Sequence, residues 1–128
     1  MGERTAGRSA FYDVLTCIEL GLKVRHALEP QNPDVIRQYL CAVPRSVLRG
    51  ESEETEYLTA QFALLLETVA DDALPMHWRR SCLDQAYRPL LGLRALPRSW
   101  RRESEVRMLV QQLRSAGRTF QSSMASEC

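Results

Sequence analysis

A chain of 128 residues has the length of one ordinary domain and can bury one sizeable core. Hydrophobic residues make up 45% and charged residues 26%, which fits a folded globular protein and excludes an intrinsically disordered chain. The formal net charge is only +1, but residues 1–75 carry seven basic and twelve acidic side chains, whereas residues 76–128 carry ten arginines and four acidic side chains. We therefore expect an acidic end and a basic end on one small body.

The sequence also bears on where in the cell the protein is expected. The apolar runs fall far short of the ~18 residues that a membrane span needs. The N-terminal stretch "MGERTAGRSA" lacks the apolar segment of a secretory signal. The four cysteines lie far apart with no CxxC pair, which argues against a zinc site and a disulfide framework. We expect reduced thiols, a cytoplasmic or nuclear location, and no membrane partner.

The first two helices are predicted from apolar residues that recur every three or four positions. The first covers residues 9–28, and its apolar stripe consists of Phe11, Val14, Leu15, Ile18 and Leu22. The segment "EPQNP" ends it. The second covers residues 34–42, because Asn32 is a suitable N-cap and Pro33 suits a first turn. Pro44 begins a short turn that ends at Gly50.

The third helix is the most regular in the chain and is predicted from the stretch "GESEETEYLTAQFALLLETVADD" at 50–72, with Ser52 as its expected N-cap. Its stripe of Leu58, Phe62, Leu65 and Val69 is widened by further apolar residues. A helix that is apolar over so much of its circumference is usually packed on several sides. We therefore expect it to be the central helix of the fold.

The C-terminal half predicts a helix from Pro75 to about Tyr87, an irregular turn at 89–96, and a last helix over 99–116 that Gly117 ends. The predicted fold is all-α: a compact bundle or a short helical-repeat array of five main helices plus one or two short ones. A single helical domain is expected over residues 9–120. It is flanked by a flexible N-terminus at 1–8 and a frayed tail at 121–128.

One octapeptide recurs in the chain. "ALPMHWRR" at 73–80 returns as "ALPRSWRR" at 95–102, and "AVPRSVLR" at 42–49 is a looser copy. Proline suits the first turn of a helix, and an apolar residue three positions later lies one turn further, where it can contact the core. The simplest interpretation is that each of the three copies marks the start of a helix. A duplicated structural unit is the alternative, but the spacing is uneven.

The segment "ALEPQNPDVIRQYL" at 27–40 resembles the turn between the paired helices of a HEAT-type repeat. The residues that carry this resemblance are Leu28, Asn32, Pro33, Asp34, Val35 and Arg37. Residues 66–83 could be a second, poorer copy with Arg79 or Arg80 in the arginine position. The resemblance implies a helical scaffold that binds other proteins along a groove, without catalysis.

Catalytic chemistry has little support in the sequence. The two histidines, His26 and His77, belong to different predicted helices, and Cys17 lies nine residues before His26 on one helix, too far for a nucleophile and its base. The carboxylates lack the spacing of a calcium-binding loop, and no glycine-rich phosphate-binding motif occurs. We expect no enzymatic activity, no cofactor and no metal.

The two close copies of the octapeptide supply the candidate partner-binding residues: Trp78, Arg79, Arg80, Arg98, Trp100, Arg101 and Arg102. Tryptophan and arginine are enriched at the energetic centres of protein interfaces. We expect one surface that binds an acidic or amphipathic segment of another protein, as in a scaffold or adaptor. Self-association between acidic and basic ends is a further expectation.

Nucleic-acid binding by the arginine- and tryptophan-rich half is the alternative. The near-neutral charge and the single lysine argue against it.

Overall fold

The structure is a computed structural model that describes residues 14–44, 47 and 50–127. Six α-helices lie in this part of the chain, and it contains no β-strand. They are α1 (Val14–Arg25), α2 (Asp34–Cys41), α3 (Glu51–Ala70), α4 (Met76–Gln85), α5 (Tyr87–Ala95) and α6 (Trp100–Glu127). The predicted all-α bundle is confirmed. The predictions for residues 1–13, and most of those for the turn at 44–50, lie outside the described residues.

The helix α3 is central, as its sequence predicts. It packs against α1, α4, α5 and α6, and it buries Phe62, Leu65 and Val69 to 2% exposure or less. Gln61 and Thr68 are buried polar side chains of α3, and both are hydrogen-bonded: Gln61 Nε2 donates to the backbone oxygen of Tyr39 over 3.2 Å, and Thr68 Oγ1 donates to the backbone oxygen of Leu64 over 2.7 Å. All six helices contribute to one hydrophobic core.

The buried face of α1 differs from the predicted one. Leu15, Ile18 and Leu22 of the apolar stripe are 50% exposed or more, whereas Cys17, Leu20, Gly21 and Val24 are buried. A small residue at position 21 explains this orientation, because a Cβ there would lie only 3.3 Å from the Tyr39 ring. Close approach of α2 at Gly21 therefore decides which face of α1 enters the core.

The helix α1 ends at Arg25, three residues before the predicted end. Ala27 takes the left-handed φ of 49°, and the Leu28 N–H donates to the backbone oxygen of Lys23 over 3.0 Å. The N–H of Ala27 donates to the backbone oxygen of Val24 over 3.3 Å. These two bonds form a Schellman motif, which satisfies carbonyls of the last turn and reverses the chain.

The predicted stop of the last helix at Gly117 is wrong, because α6 continues to Glu127. No described glycine has a positive φ, so Gly117 is an ordinary helical residue here. Phe120, 2% exposed, and Met124 pack against the core beyond it, and their burial offsets the ~1 kcal/mol that an interior glycine costs. The segment predicted as a frayed tail is helical as far as Glu127.

Two further boundaries differ. The helix α3 begins at Glu51 with Gly50 as its N-cap, so Ser52 is not the cap residue. The segment predicted as an irregular turn at 89–96 belongs mostly to α5, in which Pro89 lies in the first turn, where its missing N–H costs no hydrogen bond. None of the helices in the described ranges is both long and apolar enough to cross a membrane.

The central position of α3 generates a stability prediction. Leu65→Ala should lower the free energy of unfolding by about 2–5 kcal/mol, because Leu65 is 0% exposed and its removal leaves a cavity. The matched control is Leu91→Ala on α5, where the side chain is 55% exposed and the change should stay within about 0.5 kcal/mol. Urea denaturation followed by circular dichroism measures both. Equal losses in the two variants would contradict the central position of α3.

Candidate partner-binding site

Trp78 lies inside the protein. Its side chain is 0% exposed, and its indole Nε1 donates a hydrogen bond to the backbone oxygen of Val24 over 2.8 Å. The residue follows Pro75 by three positions, so the helix start of α4 directs the ring one turn inward against α1, as the proline pattern predicts. A partner protein cannot contact this tryptophan in the folded state.

Arg79 is buried as well, at 4% exposure. Its Nε donates to the backbone oxygen of Val69 over 2.8 Å, and its guanidinium carbon lies 5.2 Å from the centroid of the Phe120 ring. The Val69 carbonyl belongs to the last turn of α3, where carbonyls have no donor within the helix. Arg79 therefore joins the end of α3 to the C-terminal half of α6.

The second copy of the octapeptide has different surroundings. Trp100 begins α6 and is 77% exposed, and the guanidinium carbon of exposed Arg101 lies 5.9 Å from its ring centroid. Arg102 is half-buried and turns back: Nη1 donates to the backbone oxygen of Pro97, and Nη2 donates to Thr55 Oγ1 over 3.2 Å. The same sequence therefore lies in the core at the start of α4 and mostly on the surface at the start of α6.

The seven predicted residues do not form one surface. Arg79 lies over Phe120, and Arg80, which is exposed, places Nη1 4.0 Å from Met124 Sδ. Trp100 stands at the opposite end of α6, twenty residues from Phe120, which is about 30 Å along a helix. The prediction of a single Trp/Arg surface is therefore wrong.

The predicted separation of an acidic end from a basic end is also wrong at the starts of α3 and α6. The carboxylates of Glu53, Glu54 and Glu56 lie at the start of α3, beside Thr55. Thr55 is hydrogen-bonded to Arg102 at the start of α6. The first turns of the most acidic helix and the arginine-rich start of α6 are therefore neighbours.

The structure does place Arg98 and Arg102 in one groove between α5 and α6, with a volume of about 380 Å³. We call it the α5–α6 groove, and it is lined by Leu93, Arg94, Leu96, Arg98, Arg102, Glu103, Val106 and Arg107. Leu93 and Val106 are buried, whereas all the charged residues except half-buried Arg102 are exposed. The groove therefore has an apolar floor and a rim of four arginines and one glutamate.

The helices explain this arrangement. On α6, Arg102 and Val106 are four positions apart, as are Glu103 and Arg107, so both pairs lie on neighbouring stripes of one side. Arg94 stands in the last turn of α5, and the extended backbone at Leu96 leads to Arg98. Arg94 and Arg107 lie outside the octapeptide and were not among the predicted residues. The four-residue spacing of the charges was the signal that could have found them.

The histidines and cysteines form no recognisable catalytic group in the described residues. His77 Nε2 lies 2.9 Å from the backbone oxygen of Pro30, and His26 is exposed at the end of α1. Burial raises the pKa of the Cys82 thiol to about 12, so this thiol stays protonated at neutral pH. Within the described ranges no three acidic, histidine or cysteine side chains form a group that could hold a metal ion.

No protein-family model, curated protein or solved structure matches this chain. In the structure, residues 27–40 form the turn after α1 and most of α2, and residues 66–83 include the end of α3 and most of α4. The resemblance of these segments to HEAT-type repeats stays a prediction.

The contrast between the two tryptophans can be measured by fluorescence quenching. Acrylamide should quench Trp100 readily and Trp78 hardly at all, so Trp100→Phe should remove the accessible component of the emission. Trp100→Phe should also change the free energy of unfolding by no more than about 0.5 kcal/mol, while Trp78→Phe should cost on the order of 2 kcal/mol. Similar quenching of the two single-tryptophan variants would contradict these positions.

Proposed function

We propose that this chain is a non-enzymatic scaffold or adaptor domain of the cytoplasm or nucleus, and that its α5–α6 groove binds an acidic segment of a partner protein. The observation that carries the proposal is the combination of four arginines and one glutamate around an apolar floor. Arginine pairs with carboxylates through two parallel hydrogen bonds, and an apolar side chain of the partner would cover the floor.

The arginines of the rim differ in whether they already bind another part of the protein. Arg102 donates hydrogen bonds to Pro97 and Thr55, so it joins the start of α6 to α3 beside the groove. Arg94, Arg98 and Arg107 are exposed and form no ion pair with a carboxylate in the described part of the chain. These three side chains supply the positive charge that a partner meets first.

Trp100 extends the same surface. It precedes Glu103 by three positions and Arg107 by seven, so all three residues follow one face of α6. An exposed tryptophan beside a charged groove offers a large apolar contact for an amphipathic partner. The groove and Trp100 together suit a short segment that carries carboxylates and one or two apolar side chains.

A short acidic peptide fits this site better than a nucleic acid does. The carboxylates of Glu53, Glu54 and Glu56 lie near the start of α6, so the positive field is confined to the groove. A polyanion needs a longer basic track for its phosphates. The exposed pair of Trp100 and Arg101 could stack on an unpaired base, and the experiment below distinguishes this case.

The test uses a labelled twelve-residue peptide in which aspartates and glutamates flank two leucines. Arg94→Glu with Arg107→Glu should weaken its binding by at least about tenfold, because two attractive charges of the rim become repulsive. The matched control is Arg114→Glu with Arg118→Glu, which makes the same change in net charge at exposed positions of α6 outside the groove. Fluorescence anisotropy at constant ionic strength measures the dissociation constants.

The control should retain the affinity of the unaltered protein within about twofold. Equal weakening by the two double variants would show unspecific charge attraction and would contradict the proposal. Tighter binding of a twelve-nucleotide single strand than of the peptide, with a steep salt dependence, would contradict it in favour of a nucleic-acid-binding domain.

A further inference from the structure

Arg79 is a buried cation that uses only part of its hydrogen-bonding capacity. Nε donates to Val69 and the guanidinium face covers Phe120, but Nη1 and Nη2 have no acceptor among the described residues. No carboxylate in that part of the chain lies within 4.0 Å of the Arg79 nitrogens, and the nearby Asp71 is hydrogen-bonded to Arg25 over 2.8 Å. Although the residue is only 4% exposed, Nη1 and Nη2 are not among the fully buried side-chain atoms that lack a hydrogen-bond partner, so a ligand can reach them from the surface.

Arg79 lines a groove of about 470 Å³ between the end of α3 and the C-terminal half of α6, which we call the α3–α6 groove. Four uncharged hydrogen-bonding side chains of α6 line its other wall: Gln112, Ser115, Thr119 and Ser123. They follow one another at intervals of three, four and four residues, which is one continuous helix stripe. Gln112, Ser115 and Thr119 are exposed and Ser123 is half-buried, so their amide and hydroxyl groups are accessible to a ligand that contacts Arg79.

We propose that the α3–α6 groove binds a ligand with a single carboxylate group, which accepts two parallel hydrogen bonds from Nη1 and Nη2 of Arg79. The planar guanidinium matches a carboxylate in this geometry, and its position is fixed in advance by Val69 and Phe120. The hydroxyl and amide groups of the α6 stripe bind the rest of the ligand. Asp72 lines the same groove and is exposed, so it opposes ligands with several negative charges, such as phosphates.

A capping role alone does not account for these features. Capping the end of α3 requires only the bond from Nε to Val69, and a lysine could supply a comparable donor. The two remaining nitrogens and the polar stripe opposite them have no part in capping. The groove has room for a small free acid and for the last residues of a peptide, so the carboxylate belongs to one of these two sources.

The experiment titrates the unaltered, ¹⁵N-labelled protein at constant ionic strength, with chloride as the balancing anion. The probes are acetate, N-acetyl-trialanine with a free carboxylate, and the same peptide as its C-terminal amide. Both acids should shift the resonances of Thr119 and Phe120 saturably in the millimolar range, and the amide should not. Binding of the peptide acid at least about tenfold tighter than acetate identifies a peptide C-terminus as the source, and equal affinities identify a small acid.

Arg79→Lys should weaken the binding of both acids at least fivefold, because lysine keeps the charge and loses the planar pair of donors. Arg80→Lys, at the exposed neighbouring position, is the matched control and should leave the binding unchanged. Thr119→Val removes a hydroxyl of the stripe at an exposed position and should weaken the peptide acid. Shifts that grow linearly without saturation, or that the amide reproduces, would overturn the proposal whether or not the Arg79 variant folds.

Discussion

The burial of the Trp78 indole decides the position of α4, on which the rest of the structure depends. The ring is completely buried, and its only polar atom donates to the last turn of α1. Burial of an aromatic side chain of this size contributes roughly 5 kcal/mol. It also fixes the next residue, Arg79, between the end of α3 and Phe120. One side chain thus joins α4 to α1, and its neighbour joins α4 to α3 and α6.

The two close copies of the octapeptide show what local sequence can and cannot determine. A helix begins within both copies, but at different positions: α4 begins directly after Pro75, whereas α6 begins at Trp100, three residues after Pro97. The burial of each tryptophan depends on the helices that lie beside it. The helix α4 packs against α2, α3 and α6, and Trp78 itself contacts α1, whereas Trp100 is left exposed at the start of α6. This difference arises from tertiary packing, which no pattern of eight residues contains.

The same distinction separates the successes and failures of sequence reasoning elsewhere in the fold. The central helix could be predicted, because Phe62, Leu65 and Val69 fit a helical period and all are buried. The buried face of α1 could not be predicted, because it depends on the close approach of Tyr39 to Gly21. The end of α6 could not be predicted from Gly117, because Phe120 and Met124 find partners on other helices. The α5–α6 groove likewise requires two helices to meet, and only the spacing of Arg102, Val106 and Arg107 within one of them was visible.

The repeated tryptophan is a core residue in the first copy of the octapeptide and a surface residue in the second. Hydrogen exchange of the two indole N–H groups, followed by NMR in deuterated buffer, measures this difference. The Trp78 group should exchange only when the fold opens, on the order of a thousandfold or more slowly than a free indole, and the Trp100 group should exchange at nearly the free rate. Equal exchange rates, or protection at Trp100 alone, would contradict the burial of Trp78 and the exposure of Trp100.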